Sequence, residues 1–476
     1  MSSPWESREP NAKDVAAFAD SELKPFWLDA LAARDSQPAL SGSAEADLCI
    51  IGGGFTGLWA ALQAITDEPG RSIVLLEAET IAFGASGRNG GFLEQSLTHG
   101  IANGVARFPD EIATIERLAA ESFSGLIADI EKHSMDCQLN QAGSIDVAIE
   151  PHEIAWMHQS VRLLAQHGCE VEVFDSPEAM RAEVNSPLYI GGVWAKTGAA
   201  TVDPARLAEG LFAAVLKAGV RVFENTKALK LDADGAGVRV TTEAGSVAAR
   251  RVVLATSAHE PLVSEIKRYV APVYDYVLMT EPLTDAQIES IGWKRRQGIS
   301  DSANRFHYYR LSADNRILWG GFEAVYHFGG RVNSGYDGDQ DVFAALARNF
   351  FTTFPQLEGV RFSHRWGGAI DTCSRFSPFF GTSLDGRVAY VAGYTGLGVG
   401  ATRFGARVAL DLADGIDTEA TRLEMVRTKP VPFPPEPLRS AVIQLTRNRL
   451  AAADANGGQR GAWLRTLDAL GLGFDS

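Results

Sequence analysis

The run Asp47-Leu48-Cys49-Ile50-Ile51-Gly52-Gly53-Gly54-Phe55-Thr56-Gly57-Leu58 constrains this chain more than any other. Four apolar residues, Leu48 to Ile51, have the continuous hydrophobicity of a strand buried on both faces. Glycines follow at GxGxxG spacing, and an alanine- and leucine-rich helix begins. Gly52 permits the tight turn, Gly54 lets the backbone approach a pyrophosphate, and Gly57 lets the helix pack closely on the strand. Phe55 and Thr56 open that helix, whose free N–H groups and positive dipole end receive phosphate. A second apolar run, Ser72-Ile73-Val74-Leu75-Leu76, ends at Glu77. That carboxylate lies about 20 residues past the glycines, where ribose hydroxyls are bound. A lone GxGxxG is weak evidence. Strand, glycines, helix, second strand and acidic end together predict a dinucleotide-binding βαβ unit.

At 476 residues the chain has room for two or three domains and a sizeable core. Its 46% hydrophobic and 22% charged residues are those of a globular protein. A net charge of −15 argues against a nucleic-acid partner or an anionic membrane surface. Met1 to Glu6 carry neither a basic nor an apolar signal region, and no apolar run reaches transmembrane length. Cys49, Cys137, Cys169 and Cys373 form no CxxC pair, so they read as buried thiols of a reducing cytoplasm. No metal site is expected.

The predicted organisation is interleaved. Residues 1–46 are a polar, alanine-rich leader with a helical piece at Phe26-Trp27-Leu28, expected to pack on the surface. Residues 47–97, 190–270 and 360–415 hold the dinucleotide-binding strands. Residues 98–189 and 271–359 form a substrate domain, and 416–476 a helical tail. Helical spacing recurs over 107–133, Glu153 to His167, Val202 to Leu216, Val342 to Phe354 and Ala401 to Leu412. Val238 to Thr242 and Ser246 to Ala249 read as a hairpin, and Arg251 to Thr256 as a separate buried strand. Ala271 to Phe328 is strand-like and aromatic. Val388 to Ala392, a last apolar strand, runs into Gly393-Tyr394-Thr395-Gly396-Leu397-Gly398, a second glycine-rich loop before a helix.

Two features bear on which dinucleotide binds. One is Gly84-Ala85-Ser86-Gly87-Arg88-Asn89-Gly90-Gly91-Phe92. Its glycines allow close approach, Ser86 and Asn89 can donate hydrogen bonds, and Arg88 can face phosphate or an electron-rich ring edge. The other is the late Thr395-Gly396-Leu397-Gly398 loop. With Tyr308-Tyr309-Arg310-Leu311, Arg316 to Gly321 and Trp366-Gly367-Gly368, these stretches resemble flavoenzymes of the D-amino-acid oxidase superfamily. The likeness is to the glycine/sarcosine oxidase-like branch, with γ-glutamylputrescine oxidase-like proteins nearest in pattern. It covers most of residues 27–415.

The resemblance implies an α/β fold: a Rossmann-like FAD-binding domain interleaved with an antiparallel-sheet substrate domain. It implies non-covalent FAD held by Gly52, Gly54, Phe55, Thr56, Gly57, Glu77, Ala85, Ser86, Arg88, Asn89, Gly90, Gly91, Phe92, Ala228, Thr256, Thr395, Gly396, Leu397 and Gly398. It further implies oxidation of a small-molecule amine at the Cα–N bond, with O2 reduced to H2O2. Sarcosine oxidases carry an oxygen-activating lysine in the strand matching Ile317-Leu318-Trp319, and no lysine stands here. Cys373 falls near the segment where some relatives tether flavin, out of register; a buried structural thiol is expected.

Only one GxGxxG is present, which favours direct reduction of the cofactor by the organic substrate over reduction by NADPH. Tyr308, Trp366 and Tyr394 are candidates for the substrate pocket, with Tyr274, Tyr276 and Tyr309 as further aromatics. An aromatic wall suits an amine, charged or neutral, although strand aromatics are more often core. Arg310 is weighed as a carboxylate-binding residue against a solvated or ion-paired one. His307, His327 and His364 have no metal spacing. The alternatives are a dehydrogenase with another electron acceptor and a non-catalytic FAD-bound subunit.

Overall fold

A computed structural model of the chain describes residues 4–472. The ends of the leader and tail, residues 1–3 and 473–476, lie outside the described residues. The apolar runs build a parallel sheet in the order Arg221–Phe223, Ile73–Leu76, Gly42–Ile51, Gly245–Leu254 and Val388–Ala392, edged by antiparallel Phe379–Ser383. Its central residues, including Leu48, Ile50, Val74 and Val253, are fully buried, because both faces are covered. Leu48, Ile50 and Leu75 pack under helices Phe55–Asp67, Pro204–Lys217 and Gly398–Asp414. Cys49, Val74 and Leu76 pack under Val238, Val240 and Val247 of an antiparallel meander.

That meander corrects one expectation. Ser246 to Ala249 and the run from Arg251 are a single strand, Gly245–Leu254. Its first half pairs with Gly237–Thr242 and its second half with Val388–Ala392. One strand changes neighbour midway, which local alternation does not encode.

The second sheet has ten strands. It is antiparallel except where Glu22–Leu23 joins Phe362–Thr372 and where Gly298–Asp301 joins Ser144–Ala148. Helix Gln340–Thr353 covers one face. Tyr274, Tyr276, Tyr309 and Trp319 belong to that buried layer with Phe343 and Phe350. Period-2 alternation therefore turns Val273, Asp275, Val277 and Tyr308 to the opposite face, which lines a cavity.

Three placements differ from the sequence reading. Gly191–Ala195 and Phe362–Thr372, expected among the dinucleotide-binding strands, pair in the second sheet. Helix Ile112–Lys132, expected in the substrate domain, packs Ile115, Ala119 and Leu126 onto the dinucleotide-side core. Short apolar strands fit either sheet, and the choice is made by partners distant in sequence. The leader is also not a surface element. Trp5, Phe18 and Trp27 are each 1% exposed, and Trp5 packs edge-on against His307 at 4.5 Å. Its polar composition masks three aromatics, each large enough to anchor the segment.

The tail enters through 430–437 and forms helices Leu438–Asp454 and Ala462–Ala469. Tyr326 Oη donates to Glu436 at 2.7 Å and Asn304 to Asp454 at 2.6 Å, fixing the tail beside the second sheet. No helix among the described residues is long and apolar enough to cross a membrane.

Candidate active site

One cavity of about 1430 Å³ runs between the two sheets. Pockets for a single small ligand hold roughly 300–1,000 Å³, so this one has room for a dinucleotide and a small substrate together. Its base is the glycine turn after Gly42–Ile51. Gly52 has φ +116°, and a Cβ there would collide with the Ala255 carbonyl oxygen. A Cβ on Gly57 would overlap the Gly52 carbonyl oxygen, so the helix sits hard on the turn only because both are glycine. Ser86 Oγ accepts the Phe55 N–H at 2.8 Å, and Glu77 Oε2 accepts the Gly53 N–H at 2.6 Å. Glu77 Oε1 accepts from Glu79 N at 2.9 Å. Burial pushes the Glu77 carboxyl up, and those backbone N–H groups oppose the push. An open glycine turn, a helix start and a buried carboxylate beside them fit a dinucleotide.

Of the residues read from sequence, Gly52, Gly54, Phe55, Thr56, Glu77, Ala228, Thr256 and Thr395 to Gly398 line this cavity. Ala85, Ser86, Arg88, Asn89, Gly90 and Phe92 line it too, as do Tyr308, Trp366 and Tyr394. Gly57 and Gly91 lie behind the lining. Thr56 Oγ1 donates to Tyr394 Oη at 3.1 Å, tying the first glycine turn to the late loop. That loop is held from below by Asp371, whose Oδ2 accepts the Gly393 N–H at 2.8 Å. Burial pushes the Asp371 carboxyl up to about 6. Nothing in the sequence around Asp371 signalled this role.

The Gly84–Phe92 block behaves differently from its sequence reading. Asn89 spends its amide on the loop itself, donating to the Ala85 and Ser86 carbonyls at 3.0 and 2.9 Å and accepting from Gly91 N at 2.8 Å. Arg88 donates Nε to the Phe83 carbonyl at 2.9 Å and pairs with Asp337 at 2.6 Å. The second sheet and the leader clamp the same loop. Trp366 Nε1 donates to the Arg88 carbonyl at 2.8 Å and Trp27 Nε1 to the Asn89 carbonyl at 2.9 Å.

Arg310 belongs to this clamp. It is buried, outside the cavity, and donates to the carbonyls of Gly91 and Val202. It is therefore neither a carboxylate receptor, nor solvated, nor ion-paired. Burial lowers its pKa to about 10. Tyr274, Tyr276 and Tyr309 are core residues, as their place in the helix-covered layer requires. His307 is a satisfied core histidine, between Asp301 and Asn349 at 2.9 Å each.

The roof carries a residue the sequence reading passed over. Asp275 faces the cavity between Tyr274 and Tyr276, and Tyr308 Oη donates to its Oδ2. Asp275 Oδ1 accepts from Tyr276 N at 2.9 Å. Burial pushes this carboxyl up to about 6, against the hydrogen bonds from Tyr308, Tyr276 N and Gly321 N. A charge between two core tyrosines on an alternating strand was the available signal.

Three comparisons bear on identity. The pattern of the family described as DAO, FAD dependent oxidoreductase, matches residues 47–412. Gamma-glutamylputrescine oxidoreductase of Escherichia coli is 33% identical over 403 residues, covering 83% of this chain and 89% of that protein. A protein named probable oxidoreductase OrdL, from Haemophilus influenzae, is 27% identical over 422 residues, covering 87% and 94%. Among solved structures, glycine oxidase from Geobacillus kaustophilus has the same fold, with a TM-score of 0.66 at 19% identity, covering 81% of this chain and 99% of that one. The match over most of the chain, together with the cavity between the two sheets, places this protein in the DAO family of FAD-dependent oxidoreductases.

Proposed function

We propose that this enzyme oxidises an amine at the carbon beside nitrogen, using non-covalently bound FAD. The observation that carries the reading is the continuous cavity that joins the dinucleotide cradle to the face bearing Asp275, Tyr308 and Trp366. The relative named gamma-glutamylputrescine oxidoreductase supports an amine as the substrate class. Bound FAD supplies the two-electron oxidant. The chain supplies binding and orientation. The Gly52–Gly57 turn and the helix start receive pyrophosphate, and Glu77 accepts from ribose hydroxyls. The clamped Gly84–Phe92 loop and the Thr395–Gly398 loop, stiffened by Asp371, shape the rest of the cradle. Tyr308, Trp366 and Phe92 form an apolar wall that excludes water from the reacting carbon. Phe92 and Tyr308 meet edge-on at 5.7 Å. The amine loses a hydride from carbon and a proton from nitrogen. The resulting imine hydrolyses to an aldehyde or keto acid plus ammonia or an amine.

Non-covalent binding is supported by Cys373, whose Sγ donates to the Ser377 and Gly393 carbonyls at 3.2 and 3.4 Å. We assign dioxygen as the electron acceptor, reduced to hydrogen peroxide. The test is an anaerobic panel of amines and NADPH, followed by admission of air. An amine, and not NADPH, is expected to bleach the flavin band, and air is expected to restore it with peroxide formed. Rapid bleaching by NADPH alone would defeat the reading. Bleaching by an amine with no peroxide on reoxidation would transfer the acceptor role to a protein or quinone.

A further inference from the structure

Asp275 is a half-buried carboxylate facing the cavity, with neutral donors and, among the described residues, no cation within ion-pair distance. Its contacts are Tyr308 Oη, Tyr276 N and Gly321 N. Arg88 is committed to Asp337, and Arg310 to two backbone carbonyls. An anion enclosed without an opposite charge is costly, and a cationic ligand removes that cost.

The position is built. Tyr308 and Asp275 stand two strands apart, with Ile317–Gly321 between them. Tyr308 reaches across because Gly320 lies beneath it: a Cβ there would lie 2.7 Å from Tyr308 Cζ and 2.8 Å from its Oη. From the cradle side Gly90 leaves the same space, its Cβ position being 2.7 Å from Tyr308 Cε2. Two glycines from different parts of the chain thus admit one ring that orients one carboxylate into the cavity.

We infer that Asp275, oriented by Tyr308, receives the ammonium group of the amine to be oxidised, and that the enzyme therefore prefers amines without an α-carboxylate over α-amino acids. The inference rests on the amine-oxidising reading above. An α-carboxylate held at the same nitrogen would sit beside the Asp275 carboxylate, and the two like charges repel. The step assigned to Asp275 is one proton: the substrate ammonium and the carboxylate become neutral amine and carboxylic acid, with no bond to carbon altered. Neutral amine is the form whose lone pair assists loss of hydride from carbon. A carboxyl already pushed up to about 6 by burial is a better proton acceptor than an ordinary aspartate. The titratable side chain in contact with it is Tyr308; Tyr276 offers only its backbone N–H, its ring lying on the opposite face, and Arg88, neutralised by Asp337, lies beyond Gly368.

The test compares FAD-loaded wild type, Asp275→Asn and Tyr308→Phe, each checked for flavin content, with butylamine and its α-carboxylated counterpart norvaline as probes. In the wild type, half-maximal anaerobic bleaching is expected at roughly tenfold or more lower concentration of butylamine than of norvaline. Asp275→Asn is expected to raise the butylamine requirement roughly tenfold or more while flavin content stays at the wild-type level. Below about pH 6 the wild type should need more butylamine, because protonation removes the anion, and this limb should vanish in Asp275→Asn. Tyr308→Phe should show a smaller rise, because the carboxylate remains. Thermal stabilisation by butylamine, read without turnover, should follow the same order. Asp275→Asn with full flavin content, an unchanged butylamine requirement and an unchanged acid limb would overturn the inference. So would a wild type that prefers norvaline. If no amine at all bleaches the wild type, the amine-oxidising reading itself falls.

Discussion

The cradle and the roof of the cavity are both built largely from glycine, acidic and aromatic residues, yet they work differently. The cradle acts through backbone. Gly52, Gly54 and Gly57 stand within six residues of chain, and their worth lies in side chains that are absent. The roof acts through side chains from distant strands: Asp275, Tyr308 and Trp366 meet only because four strands, Ile317–Gly321 among them, pair in one register. A backbone device must be contiguous, so it is conspicuous in sequence. A side-chain device need only share a face, so it is scattered.

The largest effect expected from this contrast is at Gly57. Gly57→Ala would push a methyl group into the Gly52 backbone carbonyl, which cannot move aside, at a cost of about 4 kcal/mol or more. Gly320→Ala meets first the Tyr308 side chain, which can give by a small displacement where a backbone carbonyl cannot, so its cost should be about 1–2 kcal/mol. Thermal unfolding and flavin content check both. Equal tolerance of the two substitutions would erase the distinction between backbone and side-chain devices.

Next in size is Glu77→Ala, which removes a charge-assisted acceptor and should weaken FAD binding by about 1.5–3 kcal/mol. Equilibrium dialysis of FAD measures it, and an unchanged affinity would remove Glu77 from the ribose site.

Arg88 sharpens the comparison because it belongs to both regions: it sits in the cradle loop and pairs with Asp337 on the roof side, both largely buried. A double-mutant cycle of Arg88→Ala and Asp337→Asn should give a coupling of about 1–2 kcal/mol in unfolding free energy. Additive effects would mean that the two regions are not joined there. Trp366→Phe keeps the wall and loses the 2.8 Å hydrogen bond to the Arg88 carbonyl, at a cost of about 0.5–1.5 kcal/mol. The smallest effect is Cys373→Ala, which should leave flavin loading unchanged. Wild-type flavin should pass into the supernatant on acid precipitation, and retention in the pellet would restore a covalent link.

The same contrast explains what was legible in the sequence. The βαβ start, the Pro204–Lys217 helix with Asp203 capping the Arg206 N–H, and the Gly398–Asp414 helix follow from local pattern and cap chemistry. The long strand Gly245–Leu254 was read as two because its change of partner depends on Val388–Ala392, more than a hundred residues away. The leader's polar composition does not reveal its burial, because Trp5 and Trp27 are covered by strands far away in sequence. Asn89 and Arg88 were expected to reach outward, but the loop's own carbonyls and Asp337 compete for their donors. Asp275 was passed over because its meaning rests on facing, which the two core tyrosines on either side define.

The central claim is that the two regions divide the work, the cradle holding FAD and the roof selecting the amine. One paired measurement tests it most directly: FAD affinity and the amine concentration for half-maximal anaerobic bleaching, both taken on Glu77→Ala and Asp275→Asn. The predicted result is a crossing, with Glu77→Ala losing FAD affinity while its loaded fraction bleaches at the wild-type amine concentration, and Asp275→Asn doing the reverse. Both variants shifting both quantities alike would contradict the division.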